Sequence, residues 1–427
     1  MEIAPHNYPI SLSDYCELGA NMKFPVLAGQ VDLLLEQQQG STGGSNHLGF
    51  TMSFPNGVRP EHIAAGIQTV LRGFSALRSV FSGSVASGYV QEVEPFEDHV
   101  AAVEFSDVSD ADPARQANYV RGLLHRDAAQ WDWSRHGVYR FVVVKTSPTR
   151  FHLVISLQQI AVDHASIGLV LDALRAAVLA AAAGEDPVPP GDRYESAITD
   201  AQPSPAAAGA ARRHWEREFE LAGATFEECI DVPVARLRTH SAIIAGAAYL
   251  ELTRNAAAGP WGPSALFFQR LAATWCEYQP RFTLIDVVFT MRSERLAQQV
   301  GMFSTVRPII IDRDRPRWQA GIVGKLIRAS AHQWVDSIAL RDLESQRAIC
   351  ERPFPIFNYL DVSEAAGRLE RADGVSIVKF VAPMSSQRPI SLKIRNTGES
   401  FTIDLHANSA VFPPAASERI LQGLVGR

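Results

Sequence analysis

Between a β-rich run and an apolar helical stripe, the sequence places two amides, a carboxylate, an imidazole and a hydroxyl: Gln158, Gln159, Asp163, His164 and Ser166. An amide has no titratable proton near neutral pH, so Gln159 can donate or accept hydrogen bonds but cannot act as a general base. His164 carries an imidazole whose ordinary pKa, about 6.5, suits proton transfer. Other chemistries lack their residues. No G-x-S-x-G elbow, H-E-x-x-H pair or G-x-x-x-x-G-K-[ST] loop occurs, which argues against serine hydrolase, zincin and P-loop chemistry. The 12 histidines are scattered, so no metal site is indicated. Cys16, Cys229, Cys276 and Cys350 form no C-x-x-C pair and read as buried reduced thiols.

The elements that must position this loop are legible in the hydrophobic pattern. Val138 to Lys145 and Phe151 to Leu157 are β-rich runs joined by Thr146-Ser147-Pro148-Thr149, a hairpin-like connection. In the second run Phe151, Leu153, Ile155 and Leu157 share one face, and His152, Val154, Ser156 and Gln158 the other. His152 reads as structural. After the loop, Ile167, Val170, Leu171, Leu174 and Val178 recur at helical spacing, as Ile63, Ile67, Val70, Leu71 and Phe74 do upstream.

The second half repeats these element types. Pro263-Ser264 opens a helix through Leu266, Phe267, Leu271 and Trp275, with Ser264 as its N-cap. Strands are expected at Phe282 to Thr290, Arg307 to Ile311, Val375 to Val381 and Ile390 to Ile394, with a turn at Asn396-Thr397-Gly398-Glu399 leading to Phe401 to Leu405. Between the halves lies a Pro-rich, small-polar stretch that holds neither a continuous helix nor a central strand. The reading is an α+β chain: an N-terminal lobe over 1–184, a linker over 185–209 and a C-terminal lobe over 210–427.

Composition bounds the function. With 427 residues the chain has length for two or three units, and its formal net charge of −6 lacks the basic excess of a nucleic-acid binder. The first residues contain no basic n-region, and the longest apolar stretch, Ala176 to Ala183, is short of a membrane span, so a cytoplasmic location is expected.

Several separated segments, in order, resemble the condensation domains of nonribosomal peptide synthetases, members of the chloramphenicol-acetyltransferase-like superfamily. Tyr8-Pro9-Ile10-Ser11-Leu12-Ser13 resembles their opening motif, and Phe74-Ser75-Ala76-Leu77-Arg78-Ser79-Val80-Phe81 their HPALRTxF segment, followed by Tyr89-Val90-Gln91-Glu92-Val93. Trp131-Asp132-Trp133 with Tyr139-Arg140, and Arg213-His214-Trp215, look like further family segments. Val300-Gly301-Met302-Phe303-Ser304-Thr305-Val306-Arg307-Pro308 resembles VGxFVNTLP, and Phe357-Asn358-Tyr359-Leu360 the late FNYLG-like strand. The resemblance spans about residues 8 to 427. It implies two acetyltransferase-like lobes in a V-shaped pseudo-dimer, with a central tunnel that donor and acceptor enter from opposite ends.

The family signature, HHxxxDG, is represented here by Gln158 to His164, with Ala165-Ser166 following as in DGxS. The residue most often assigned to the chemistry, the second histidine, is replaced by Gln159, so a proton-transfer contribution of about a hundredfold or more is lost unless another group supplies it. Positioning and oxyanion stabilisation remain available. Asp163 matches the structural aspartate, whose partner arginine is best assigned to Arg292; the alternative is two independent surface charges. Gln158 counts with them as a structural residue of the loop. His164 stands at the glycine, either as a displaced base or as a side chain packed on the following helix or turned to solvent. Ser166, Ser304, Thr305, Asn358 and Tyr359 match positions near the tunnel, with strand or core roles as the alternative. The Arg313, Arg315, Arg317 cluster, interleaved with Asp312 and Asp314, reads as a solvated turn rather than a carrier-docking patch.

The resemblance thus implies a free-standing condensation-like protein of nonribosomal peptide or hybrid polyketide biosynthesis. It would transfer an acyl group from a carrier-protein thioester to an amine or hydroxyl. Its partners would be acyl or peptidyl carrier proteins acting in trans, or a small-molecule acceptor, with no bound cofactor beyond the carriers' phosphopantetheine arms and no membrane. The alternatives are a catalytically silent module that binds carrier-tethered intermediates or recruits a tailoring enzyme, and a tunnel enzyme with changed chemistry such as cyclisation.

Overall fold

Strand alternation in the first half and helical stripes around it build β1 (Met22–Pro25), α1 (Ala28–Gln38), β2 (His47–Ser53), α2 (Pro60–Gly73), β3 (Ser79–Ser84), β4 (Gly88–Val93), β5 (Val103–Asp107), α3 (Pro113–Gln130), β6 (Tyr139–Ser147), β7 (Arg150–Gln158) and α4 (His164–Ala182). There follow α5 (Tyr194–Asp200), α6 (Pro205–Ala222), β8 (Ala235–Ala245), α7 (Gly246–Ala257), α8 (Gly262–Cys276), β9 (Phe282–Thr290), β10 (Ser304–Asp312), α9 (Trp318–Ala331) and α10 (Ser337–Ser345). The chain closes with β11 (Ile356–Asp361), β12 (Ser376–Phe380), β13 (Ser385–Ser386), β14 (Ile390–Asn396), β15 (Ser400–Asn408) and α11 (Pro414–Val425). This computed structural model describes residues 22–38, 46–97, 103–130, 137–191, 193–222, 235–257, 262–277, 282–315, 317–345, 354–362, 373–380, 385–386 and 388–426. The segments Tyr8 to Ser13 and Trp131 to Trp133, and the cysteines Cys16, Cys229 and Cys350, lie outside these residues.

Two larger sheets organise the chain, a five-stranded one in the order β12-β2-β7-β6-β5 and a seven-stranded one in the order β10-β9-β11-β14-β15-β8-β13. In β7, Leu153, Ile155 and Leu157 enter the core beneath α2 and α4, while Val154 packs with Leu123 and Leu124 of α3 on the other face. Burying each such aliphatic side chain contributes roughly 1.5–3 kcal/mol, so both faces hold the strand in register. α4 is long and apolar enough to cross a membrane by length and composition alone, but Ile167, Val170, Leu171, Leu174 and Val178 lie in that same core.

The two lobes share a repeated unit. β7 ends at Gln158 and is followed by a turn and α4; β15 ends at Asn408 and is followed by the same turn and α11. Ala161 N donates to Gln158 O at 3.0 Å in the first, and Val411 N to Asn408 O at 3.1 Å in the second. The pattern is that of an α+β pseudo-dimer.

Three expectations change. The stretch over 185–209 is not a plain linker: it contains α5 and the start of α6, and Tyr194, Ala197 and Ile198 are buried in the first core. Proline separates these helices without preventing helix formation between breaks. Ser264 does not cap α8, because the helix already begins at Gly262. Nor does the chain divide cleanly in sequence. β12, far along the second half, pairs antiparallel with β2, Lys379 opposite Phe50, and Met291, Leu296, Val300, Met302 and Phe303 complete the first core.

α1 ties the lobes together from the other side. Its Asp32 accepts from Thr305 Oγ1 at 3.4 Å and from Arg307 Nη1 at 3.3 Å. Gly29 makes that approach possible, since a Cβ there would lie 1.7 Å from the Ser304 carbonyl oxygen. Gly29→Ala is therefore expected to destabilise the protein by about 1–3 kcal/mol, read as a lower denaturant midpoint in chemical unfolding followed by tryptophan fluorescence.

Candidate active site

The loop between β7 and α4 is short and has little freedom. Gln159 N donates to Asn46 O at 2.9 Å, and Ile160, Ala161 and Val162 are fully buried. Asp163 is the N-cap of α4, its Oδ1 accepting from Ser166 N at 2.9 Å and so satisfying one of the helix's free amides. Asp163 N donates to Gly301 O at 3.0 Å, which ties the loop to the segment before β10.

Arg292 completes the arrangement. Its Nε meets Asp163 Oδ2 at 2.8 Å and its Nη2 meets Asp163 Oδ1 at 2.7 Å, a bidentate pair. Nη2 also donates to Ser166 Oγ at 2.7 Å, and Nη1 donates to the carbonyls of Leu296 and Gln299. All five guanidinium N–H groups thus have acceptors. The side chains of Asp163 and Arg292 are 3% and 10% exposed, so the pair works largely out of water. The guanidinium carbon lies 4.9 Å from the centroid of the Phe303 ring. Gly301 is required beside it, because a Cβ there would meet Phe303 at 2.5 Å and Tyr194 at 2.8 Å.

A second network grips the other end of the loop. Gln30 Nε2 donates to Ile160 O at 3.0 Å, and Gln91 Oε1 accepts from Tyr194 Oη at 2.8 Å. Sequence reasoning did not assign these three residues to the site. One signal was present: Gln91 shares its strand face with Tyr89 and Val93, and a buried amide among apolar neighbours needs partners.

The loop leaves two groups available. Gln159 is half-buried, and among the described residues its amide has no hydrogen-bond partner. His164, the first residue of α4, is exposed to solvent while protein groups crowd around it. That crowding, with Lys393 and Lys379 nearby, pushes its pKa down to about 4, so the imidazole is neutral at pH 7.

Lys393 belongs to the second lobe. Strand alternation gives the seven-stranded sheet two unlike faces. Leu392, Ile394, Phe401, Ile403 and Leu405 enter the second core under the helices. Lys393, Arg395, Asp404 and His406 take the opposite face, which looks toward α4 and β12. Asn358, opposite Lys393 in the parallel β11–β14 pair, shares that face, and its buried Oδ1 has no partner among the described residues.

Three residues expected at the tunnel are placed elsewhere. Tyr359 points the other way, packing against the second core. Thr305 is 1% exposed and bonds Asp32 rather than lining open space. Ser166 is fully buried within the clamp, its hydroxyl between Asp163, Gly301 and Arg292. Ser304 is half-buried at the start of β10, and Gln158 is buried at the end of β7. His152 bonds Ser53 Oγ at 2.6 Å and Thr146 Oγ1 at 3.0 Å, a structural role. Arg313, Arg315 and Arg317 lie exposed around a turn. Among the described residues no group of His, Cys, Asp and Glu is placed to hold a metal ion.

Two lobes with a buried ion pair fixing the loop after the central hairpin define the class by fold: the chain has the architecture of nonribosomal peptide synthetase condensation domains. It superimposes on the first condensation domain of the calcium-dependent antibiotic synthetase, solved with a substrate analogue, at a TM-score of 0.70 and 15% identity, over 95% of this chain and 96% of that one. The X-domain from teicoplanin biosynthesis gives 0.71 and 16%, over 94% of each chain. The starter condensation domain of rhizomide synthetase gives 0.67 and 16%, over 94% of this chain and 95% of that one. No family model and no curated protein matches the sequence. At such identities the likeness fixes the fold and leaves the chemistry to the residues.

Arg292→Lys is expected to lose the bidentate geometry and Arg292→Ala to leave Asp163 buried and unpaired, the latter costing about 3–5 kcal/mol. Thermal unfolding of both variants, with hydrogen exchange over residues 159–167 as a local readout, checks this; exchange unchanged from wild type would contradict the clamp.

Proposed function

We propose that the protein transfers an acyl group from a carrier-protein thioester to an amine, in the cytoplasm, on substrates delivered by phosphopantetheine arms and without a resident cofactor. The observation that carries this reading is the clamped loop: a buried ion pair fixes the loop that carries Gln159, whose amide has no hydrogen-bond partner among the described residues.

The acceptor nitrogen attacks the thioester carbonyl, a C–N bond forms, and the tetrahedral intermediate expels the thiolate as the C–S bond breaks. The nitrogen's proton leaves with the thiol or to water. Gln159 donates to the developing oxyanion or accepts from the attacking N–H, and either hydrogen bond is worth most in a site poor in water. His164, held near pKa 4, accepts a hydrogen bond but is a weak base. An amine that arrives unprotonated needs no stronger one, whereas an alcohol does.

Intact-protein mass spectrometry of donor-loaded and acceptor-loaded carriers tests the proposal. Gln159→Ala is expected to slow product formation by about a hundredfold, the scale of a lost oxyanion donor, and His164→Ala by far less than the loss of a general base. The rate is expected to rise with pH along the acceptor's own deprotonation, with no inflection at the ordinary imidazole value. Equal product with and without the protein, together with measurable carrier binding, would replace this reading with a silent docking module.

A further inference from the structure

Among the described residues, the face of the second lobe that looks toward His164 carries more positive charge than its carboxylates balance. Lys393 and Arg395 stand two residues apart on β14, on one strand face. Lys379 reaches them from β12, the strand that crosses into the first lobe's sheet, and its amine hydrogen-bonds that of Lys393. Facing Lys393 are Lys379 from β12, Arg395 on its own strand, Asp404 and His406 from β15 and His164 from α4. Asp404 is the one carboxylate among them, and it is already engaged: Arg395 Nη2 donates to Oδ2 at 2.8 Å and Ser241 Oγ to Oδ1 at 2.8 Å. Arg395 Nε is buried with no acceptor among the described residues.

Two ammonium groups and a guanidinium held together against a single shared carboxylate cost stability unless an anion joins them. We propose that Lys379, Lys393 and Arg395 form a binding site for a carboxylate carried by the substrate, so that the acyl donor or the acceptor bears a free carboxylate beside the bond being made. The assignment rests on the acyl-transfer reading, which puts the reacting carbonyl at the loop that holds Gln159 and His164. A phosphopantetheine phosphate is an oxyanion too, but the whole pantetheine arm separates it from the thioester. It cannot sit beside His164 while the thioester reacts there. The group within reach of these cations belongs to the acyl chain or the acceptor.

The crowding of these cations bears most on Lys393. Burial, then Lys379 and Arg395, bring its pKa down to about 7, so in the absence of an anion the amine is part-neutral at pH 7. A carboxylate restores the ammonium form, so binding takes up a proton and weakens as pH rises through that value.

The experiment uses the full chain without carriers, with succinate as the carboxylate probe, succinamide as its neutral counterpart and inorganic phosphate as the rival oxyanion. Succinate is expected to raise the wild-type melting temperature and give heat in titration calorimetry, more weakly at pH 9 than at pH 6, about the pH dependence a titrating lysine imposes. Succinamide is expected to do neither. Lys393→Met and Lys379→Met are each expected to lower succinate affinity by about tenfold. Both variants are expected to melt at or above the wild-type temperature, because each relieves a like-charge contact; folded variants that bind succinate as wild type does would overturn the proposal. So would tighter binding of phosphate than of succinate. Condensation of uncharged substrates without succinate binding would sink this site alone, and succinate binding without any condensation would sink the acyl-transfer reading alone.

Discussion

The buried pairing of Arg292 with Asp163 is the interaction on which the rest of the site depends. Two charges taken out of water cost several kcal/mol each, and their attraction offsets this only when the remaining donors and acceptors are also satisfied. Here they are: the guanidinium spends its five N–H groups on Asp163, Ser166, Leu296 and Gln299, and the carboxylate accepts further from Ser166 N and, at 3.3 Å, from Phe303 N. A network so complete has one geometry. It sets where α4 begins, where the chain before β10 runs, and how the loop bearing Gln159 is presented. It also joins a residue of the first lobe's loop to one that follows the second lobe's β9.

The seven-stranded sheet supplies a complementary constraint. One of its faces is covered by helices and is apolar; the other looks toward α4 and β12 and is polar. A strand with this alternation looks like an ordinary half-exposed strand. What changes its meaning is the crossing strand β12, which brings the Lys379 amine against that of Lys393. The cations there are held at some cost to stability, a pattern that marks functional sites more often than structural ones.

Much of this was legible in the sequence, and the failures share a cause. The faces of β7, the stripe of α4 and the strand Phe282–Thr290 follow from periodicity alone, because the side chains involved contact only one or two neighbouring layers. The Asp163–Arg292 pair was reachable through ordered motifs, although its two residues lie far apart in the chain. What periodicity cannot show is which face of a strand meets a distant element. Tyr359 and Asn358 are adjacent, yet one packs in the core and the other shares a face with Lys393. The helix α5 hid in a Pro-rich stretch because its seven residues give too short a pattern to detect. Lys393 was passed over because a lysine on an alternating strand is ordinarily solvated, and the approach of Lys379 from β12 is a contact between distant parts of the chain.

The same electrostatics bears on why the loop carries amides. A histidine serves as a general base when its pKa lies near the working pH. Crowded by protein first of all, and then by the charges of Lys393 and Lys379, His164 sits near 4 and has lost most of its basicity. Each added positive neighbour disfavours the protonated form of an imidazole, so those cations add to the effect of burial at His164. An amide is indifferent to that field: it keeps its donors and its acceptor at every pH, and it needs no proton inventory to orient a nucleophile or receive negative charge on a carbonyl oxygen. A cluster of cations that suits an anionic substrate therefore removes the advantage of a titratable base within its reach.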